Sequence, residues 1–306
     1  MLPFNPGEQE LVIVGLVRNL SSTIVSEVMR LERVFGSFES RRWLVVESDS
    51  SDETLNELIK LESSLDNFEY ISEGVLEGKI PDRLARLAFC RNTYMKAISS
   101  EKKYGNTYWV AVIDLDSATP LLTAQKIESA LASGVADAYS ANLTGPYYDI
   151  VALRADGWVD DDPFSQYRHL IAEGESEKRA YKRAVQSKML KIKDTAPPFE
   201  VRSAFGGFTI YKYEFFRGCR YGVIGAKNVN ECEHVQANRD FRANGGKLVI
   251  FPSLTVAKYN QHTRYLHPVR RAFQPIISCI RQLVALTIGE SKTHSLGSWL
   301  HAKTGL

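Results

Sequence analysis

The sequence predicts an α/β fold in which helices flank a mostly parallel, doubly wound central sheet. Two observations predict it: short apolar runs of strand length alternate with segments of helical spacing, and polar residues directly follow three of those runs. The 306 residues are 44% hydrophobic and 24% charged, with a net charge of +2. This composition is typical of a globular protein with a sizeable core, and it argues against a disordered chain or one that coats nucleic acid.

The first half of the chain contains four apolar runs separated by helical patterns. The predicted strands span residues 11–17, 42–46, 68–71 and 108–113. Three helices are predicted between them: one capped by Asn19, Ser21 or Ser22 and ending near Gly36, one over 52–61, and one over 81–98 with Pro in its first turn. Strands that alternate with helices in this way form parallel sheets.

The second half is less regular. Strands are predicted at 138–143, 148–153, 208–211 and 248–251, and helices at 175–192 and 230–243. The many Lys and Arg residues of 175–192 are more typical of a solvated face than of a binding patch. The sequence shows no internal repeat and no low-complexity linker.

Three polar clusters follow predicted strands, namely Arg18-Asn19, Glu47-Ser48-Asp49 and Asp114-Leu115-Asp116. In open α/β sheets ligands lie beyond the carboxyl ends of the strands, so these clusters should converge on one crevice. Residues i and i+2 of a strand share a face, so Asp114 and Asp116 can reach one cation and hold it against a diphosphate. Such a triplet also occurs by chance at strand ends and turns.

The four cysteines, Cys90, Cys219, Cys232 and Cys279, are scattered and form no Cys-x-x-Cys pair. This spacing argues against a zinc site and a disulfide scaffold and favours a reducing cytoplasm. The first residues resemble no signal peptide, and no run of about 18 apolar residues is present. We therefore expect a cytoplasmic protein.

Four segments, in order, resemble those of GT-A-type glycosyltransferases, which use nucleotide sugars and have a Rossmann-like nucleotide-binding half. They are the acidic, serine-rich turn at 45–54, the helical Arg-Asn element at 86–92, the Asp-x-Asp triplet, and Glu231-Cys232-Glu233-His234 followed by Gly245-Gly246, Pro252 and His262. In the first of them Glu47 and Ser48 replace the family's aspartates. Segments 147–154 and 203–207 are also similar to capsule-type transferases.

The resemblance implies a domain organisation. A GT-A domain would cover 1–262, with a nucleotide-binding half at about 8–120 and a smaller acceptor-side half at about 121–262. Residues 263–306 would form a C-terminal helical extension. Within it, 264–286 is amphipathic and basic, a pattern that suits either contact with the inner face of the membrane or packing onto protein.

The resemblance also implies site residues. Manganese or magnesium would be held by Asp116, Asp114 and His262, with His234 and His267 as competing histidines, and Mn²⁺ accepts imidazole readily. The predicted donor-binding residues are Arg18, Glu47, Asp49, Arg83, Arg91 and Asp114; arginines form bidentate bonds to phosphate, although Arg86 suits a solvated helix face equally well. Glu233 and then Glu231 are the predicted bases, or else charges that favour a helix N-terminus.

The predicted reaction is transfer of a sugar from a nucleoside-diphosphate sugar to a hydroxyl of a glycan or lipid-linked glycan in surface polysaccharide synthesis. No nucleic acid partner is expected, and inversion or retention stays open. Tyr147, Tyr148 and Trp158 are candidates for stacking on the acceptor or for the core. The alternatives are a sugar nucleotidyltransferase and a non-catalytic sugar-binding protein of the same fold. No Gly-x-Gly-x-x-Gly turn follows the first strand, which argues against a dinucleotide enzyme.

Overall fold

The computed structural model describes residues 4–222 and 231–258. The chain divides into two compact units, Met1–Lys258 and Tyr259–Leu306. The second unit lies outside the described residues, as do His262, His267 and the predicted helical extension 263–306.

The first half consists of four strands and three helices in strict alternation, as predicted. They are β1 (Glu10–Val17), α1 (Ile24–Val34), β2 (Arg41–Glu47), α2 (Thr54–Ser64), β3 (Phe68–Ser72), α3 (Arg83–Ser100) and β4 (Thr107–Ile113). The central strands are apolar without alternation because both faces of a parallel sheet are covered.

The second half adds α4 (Ala124–Ala132), β5 (Ala138–Leu143), α5 (Pro163–Ala172), α6 (Glu177–Ala184), β6 (Phe199–Glu200), β7 (Phe208–Lys212), α7 (Tyr213–Phe216), α8 (Glu233–Ala243) and β8 (Leu248–Ala257). All eight strands form one sheet in the order β3-β2-β1-β4-β7-β5-β8-β6. Strands β3, β2, β1 and β4 are parallel, β5 is parallel to β8, and β7 and β6 pair antiparallel to their neighbours. The predicted mostly parallel sheet flanked by helices is confirmed.

Alternate residues of β1 enter two separate core layers. Val12 and Val14 belong to the layer that contains Tyr94 of α3, whereas Leu11 and Ile13 belong to the layer that contains residues of α1. Strand β1 has β2 on one side and β4 on the other. The chain builds outward from β1 to the edge strand β3 and then returns across the sheet to β4, so the strand order reverses between β1 and β4. A crevice between the carboxyl ends of β1 and β4 is where such a fold binds ligands.

Two helix starts differ from the prediction. Helix α1 begins at Ile24 because Asn19 and Ser21 bond to the turn after β2 instead of capping it: Asn19 Oδ1 accepts from the Ser51 amide and Ser21 Oγ donates to Asp52. Helix α3 begins at Arg83, and Asp82 caps it by accepting a hydrogen bond from the Ala85 amide.

Three predictions for the second half are wrong. Residues 148–153 form no strand: 150–152 are a turn, and Arg154 after them makes a β-bridge with Ser203. The predicted helical stretch 175–192 contains α6 and a short 3₁₀ helix at Gln186–Lys188 instead of one continuous helix, and α5, capped by Asp162, precedes it. Strand β8 continues past Phe251 to Ala257, because Asn142 Nδ2 bonds to the Pro252 carbonyl where the pairing with β5 shifts register. Within residues 4–222 and 231–258, no helix is long and apolar enough to span a bilayer.

Candidate active site

The crevice lies where β4 ends beside the start of β7. The Asp114 amide donates to the carbonyl of Gly207 at 3.0 Å, which joins the two strand ends. Gly207 has a φ of +85°, and a Cβ there would lie 3.4 Å from Tyr148 Oη and 3.7 Å from Asp114 Oδ2. Glycine at this position therefore keeps the space beside the Asp114 carboxylate open.

The Asp-x-Asp triplet is anchored by its middle residue. Leu115 is buried, and its side chain fills the space beside Gly15, where an added Cβ would come within 2.6 Å of Leu115 Cδ1. Asp116 is exposed and the Asp114 side chain is 36% exposed. Two carboxylates are thus presented at the crevice from a fixed turn.

A buried arginine lies beneath these carboxylates. Arg91 is 5% exposed and donates from Nε to Glu233 Oε1 at 3.1 Å, while its Nη2 lies 3.9 Å from Asp114 Oδ1. The rings of Phe205 and Tyr221 each lie 5.5 Å from its guanidinium carbon. The charge is therefore compensated by acids and aromatic faces rather than by water.

Negative charge is in excess around this arginine. Removal from bulk water, opposed by Arg91 and reinforced by the carboxylates of Asp116, Asp149 and Glu233, raises the pKa of Asp114 to about 7. Burial also raises the pKa of Asp149, whose Oδ2 accepts from the Gly206 amide at 2.8 Å. Arg91 pairs with two of these four carboxylates, Asp114 and Glu233, so the crevice favours an added cation.

The two predicted bases at the start of α8 are both in ion pairs. Glu233 is 3% exposed and bonds to Arg91. Glu231 Oε1 lies 2.9 Å from Arg154 Nη2, and its other oxygen lies 3.4 Å from Arg239 Nη2. Both carboxylates therefore have a structural partner that the sequence did not reveal.

His234, a competing metal ligand in the sequence, is 3% exposed and stacks on Phe205 with the ring centres 4.0 Å apart. Burial and then the charge of Arg91 hold the pKa of His234 well below its usual value. His234 is therefore enclosed by aromatic rings, whereas Asp116 is exposed to solvent.

The acids of the turn after β2 lie inside the protein. Glu47 is 1% exposed; its Oε1 accepts from the Ser50 amide at 3.0 Å and its Oε2 from the Ser72 hydroxyl. The Asp49 side chain is 4% exposed, and its Oδ1 accepts from the amides of Leu76 and Glu77, both at 2.8 Å. Both carboxylates therefore tie loops together, and the prediction that Glu47 and Asp49 contact the donor stays a prediction.

The predicted arginines fall into two groups. Arg18 and Arg83 are exposed, and Arg18 lies 3.6 Å from Glu77. Arg86 and Arg91 are buried. Arg86 donates to the carbonyls of Ile80 and Pro81 and lies 3.7 Å from Asp49, so it fixes the loop before α3. Of these four arginines, Arg18 and Arg83 are the two that are exposed to solvent.

Sequence reasoning missed the role of Asp149 and of the Gly206-Gly207 pair. Both lie in segments with a recognisable pattern, 147–154 and 203–207, but the wrongly predicted strand over 148–153 hid the turn that brings Asp149 to the crevice. Of the candidate aromatic residues, Tyr147 is fully buried and Trp158 donates to the Lys188 carbonyl. Tyr148, with its hydroxyl beside Gly207, is the one placed at the crevice.

The described residues contain no group of three or more His, Cys, Asp or Glu side chains able to hold a metal ion together. Asp114 and Asp116 nevertheless fit Mg²⁺ or Mn²⁺, since these ions are commonly held by one or two carboxylates together with substrate phosphates. The third predicted ligand, His262, lies outside the described residues.

No protein-family model matches the sequence, and no curated protein matches it significantly. Among solved structures, the mannosyltransferase PcManGT from Pyrobaculum calidifontis, in complex with GDP-Man and Mn²⁺, is similar over 98% of this chain and 83% of its own, with 13% identity and a TM-score of 0.48. S. aureus TarS 1-349 is similar over 82% of this chain, with 11% identity and a TM-score of 0.47. Its complex with UDP covers 79% of this chain, with 12% identity and a TM-score of 0.42. This chain spans about 60% of the length of the TarS 1-349 chain.

Proposed function

We propose that this protein is a metal-dependent glycosyltransferase that moves a sugar from a nucleoside-diphosphate sugar to a hydroxyl of a glycan or lipid-linked glycan, in surface polysaccharide synthesis. The observation that carries the proposal is the crevice at the strand-order reversal, where Asp114 and Asp116 lie above a buried Arg91. An excess of carboxylates at this edge of the sheet suits a cation bound to a diphosphate. The motif resemblance of 45–54, 86–92 and 231–262 supports the same reaction.

Mn²⁺ or Mg²⁺ would be held by Asp116 and Asp114, with His262 as a third ligand. A bound ion at these residues would supply positive charge to stabilise the departing diphosphate. The ion pair with Arg91 orients Asp114, and the same neighbouring carboxylates that raise the pKa of Asp114 would favour a bound cation.

Arg18 and Arg83 are the arginines that would contact the donor phosphates, because they are exposed whereas Arg86 and Arg91 are buried in contacts with the protein. Arg91 is assigned a positioning role, since its donors already face Glu233, Asp114 and Tyr94. Glu47 and Asp49 shape the donor side by holding its turns in place rather than by contacting the nucleotide.

Three carboxylates are candidates for the base that accepts the acceptor's proton. Glu233 and Glu231 must each leave an arginine to do so. Asp149 has no Lys or Arg within 4 Å among the described residues, and burial raises its pKa, which makes its carboxylate a stronger base. The geometry therefore favours Asp149 over Glu233 and Glu231, and a base of this kind would give inversion at the anomeric carbon.

Nucleotide binding tests the proposal. Calorimetric titration with UDP, GDP, CMP and dTDP compounds, each with and without Mn²⁺, should reveal one nucleotide that binds only with the metal. Asp116→Ala should weaken that binding by at least about 100-fold, whereas Asp66→Ala, which removes an exposed acid elsewhere, should leave it unchanged. Failure of every nucleotide to bind with metal would favour the non-catalytic alternative.

Product analysis then separates the two enzymatic alternatives. A glycosyltransferase releases a nucleoside diphosphate from a nucleotide sugar when acceptor or water takes the sugar. A sugar nucleotidyltransferase instead releases diphosphate from a nucleoside triphosphate and a sugar phosphate. Release of inorganic diphosphate would overturn the transferase proposal even if nucleotide and metal bind together.

A further inference from the structure

One short segment in the second half of the chain concentrates positive charge. Residues 178–193 contain seven Lys and Arg residues and no Asp or Glu, whereas the other 290 residues carry 31 basic and 36 acidic side chains. The chain as a whole is nearly neutral, at +2. This segment, which we call the basic strip, is therefore a local concentration of charge rather than a reflection of composition.

The fold displays the basic strip on the surface and fixes it there. Helix α6 buries only Ala180 and Ala184, which leaves Lys178, Arg179 and Lys182 exposed. After the helix, the carbonyl of Lys188 accepts from Trp158 Nε1 at 2.7 Å and that of Leu190 accepts from the Tyr147 amide at 2.8 Å. The strip is thus attached to the domain core by its backbone, and its side chains are left to the solvent.

The positive charges of the strip are mostly uncompensated. Arg183 pairs with Glu175, but the part of the chain that the structure describes offers no ion pair to Lys178, Arg179, Lys182, Lys191 or Lys193. A charged surface without internal partners is available to an anionic surface outside the protein.

An apolar residue lies among these charges. Leu190 is 51% exposed and sits between Lys188 and Lys191, whereas the neighbouring Ile192 is half-buried against the core. A polyanion such as nucleic acid or an acidic glycan would attract the lysines but would not bury an exposed leucine. A lipid bilayer would interact favourably with both, because lysine stems extend along the interface while a leucine enters the headgroup and acyl boundary.

We propose that the basic strip, residues 178–193 with Leu190 at its centre, binds the surface of an anionic phospholipid bilayer. This contact is distinct from any made by the C-terminal 48 residues, which carry six basic residues and one acidic residue of their own. It does not depend on the proposed reaction, because binding to a membrane needs neither metal nor nucleotide.

The strip is continuous with the acceptor side of the crevice. Lys191 forms a backbone bridge with Pro146, and the same loop continues into Tyr148, whose hydroxyl lies beside Gly207. Contact with a bilayer would therefore hold the crevice next to acceptors that are anchored in lipid. If the transferase proposal holds, this explains how a protein without a spanning helix among its described residues reaches a lipid-linked acceptor.

Vesicle co-sedimentation of the full chain tests this proposal. We expect binding to vesicles of phosphatidylcholine with about 30% phosphatidylglycerol, weak binding to phosphatidylcholine alone, and loss of binding as salt is raised. The variant Lys182→Gln/Lys191→Gln/Lys193→Gln should lower the partition coefficient roughly 100-fold, and Leu190→Ser about tenfold. The matched control Lys60→Gln/Lys96→Gln/Lys102→Gln removes three exposed lysines elsewhere and should bind like the wild type.

Other outcomes would overturn the proposal. Equal binding of the strip variant and the control would place the membrane contact elsewhere, with the C-terminal residues as the first candidate. Release of the protein from vesicles by millimolar glycerol phosphate would identify a soluble phosphate site instead. Tight binding to heparin that Leu190→Ser leaves unchanged, combined with weak vesicle binding, would identify a polyanion partner. Unchanged melting temperatures of all variants confirm that folding is not the cause.

Discussion

The turns that follow β2 and β4 both present acids at the same edge of the sheet, yet one is closed and the other open. Asp49, after β2, has a side chain that is 4% exposed, whereas that of Asp114, after β4, is 36% exposed. The acids after β2 accept hydrogen bonds from their own protein; those after β4 face a crevice. Position at the carboxyl end of a strand therefore does not by itself make a carboxylate functional.

The neighbouring strand ends account for the difference. The loop after β3 folds over the turn after β2, and its amides at Leu76 and Glu77 reach Asp49. The turn after β4 instead borders Gly206-Gly207 at the start of β7, where the lack of a side chain at Gly207 leaves space beside the Asp114 carboxylate. Each turn is anchored, the first through its acids and the second through buried Leu115.

The largest effect should come from removing the arginine beneath the open turn. Arg91→Ala leaves Glu233 buried without its partner, which should destabilise the protein by about 3–5 kcal/mol. Arg239→Ala on α8, whose side chain is 55% exposed, should cost less than about 0.5 kcal/mol. Urea denaturation measures both.

A double variant shows whether this cost arises from the pair. Arg91→Met/Glu233→Leu removes both charges and should recover much of the stability lost in Arg91→Ala, because no buried charge is left unpaired. A double variant as unstable as the single one would show that Arg91 contributes through Phe205, Tyr221 or Asp114 instead.

The next effect concerns the closed turn. Asp49→Ala removes the acceptor for two backbone amides and the partner of Arg86, and should destabilise by about 2–3 kcal/mol. Asp49→Asn keeps an acceptor oxygen and tolerates the positive φ of +58°, so it should cost less. If instead Asp49→Ala is as stable as the wild type and loses nucleotide binding, the closed turn contacts the donor after all.

The contrast between the turns also marks what the sequence could predict. Continuous apolar runs such as Leu11 to Val17 predict buried parallel strands because burial on both faces leaves no alternation. The positions of Asp114 and Asp116 after such a run predicted the crevice. The enclosure of Asp49 could not be predicted, because it depends on amides that the fold brings from 27 and 28 residues away.

The same limit applies to Glu233 and Asp149. The ion pair between Glu233 and Arg91 joins residues that are 142 positions apart, and the local sequence of α8 does not indicate this pairing. Asp149 lies at a turn and reaches the crevice from there. The apolar residues that follow it, Ile150, Val151 and Leu153, form a sequence pattern that is typical of a strand. Local periodicity predicts elements well, but the partners of charged side chains are set by tertiary contacts.

A smaller effect, of opposite sign, should come from the open turn. Asp114→Asn removes one of four neighbouring carboxylates while keeping the shape of the side chain, and should stabilise the metal-free protein by about 1 kcal/mol after allowing for solvent screening. The same variant should lose metal-dependent nucleotide binding. A destabilised Asp114→Asn would show that its ion pair with Arg91 outweighs the repulsion from the other acids.

The smallest effect should be the pH dependence of that stabilisation. The folded-state pKa of Asp114, about 7, lies above the usual value of 3.8, so the folded protein binds this proton more tightly than the unfolded chain does. The contribution of Asp114 to the free energy of unfolding is therefore present in full below about pH 4. It decreases as the pH rises and is lost once the pH has passed through 7. The melting temperature of Asp114→Asn relative to wild type should therefore increase from pH 5 to pH 7 and level off by pH 8.

Asp66→Asn, an exposed acid outside the crevice, provides the control and should show no such trend. A difference between Asp114→Asn and wild type that stays constant from pH 5 to pH 8 would mean that Asp114 is ionised throughout, and that Arg91 rather than the surrounding carboxylates dominates the open turn.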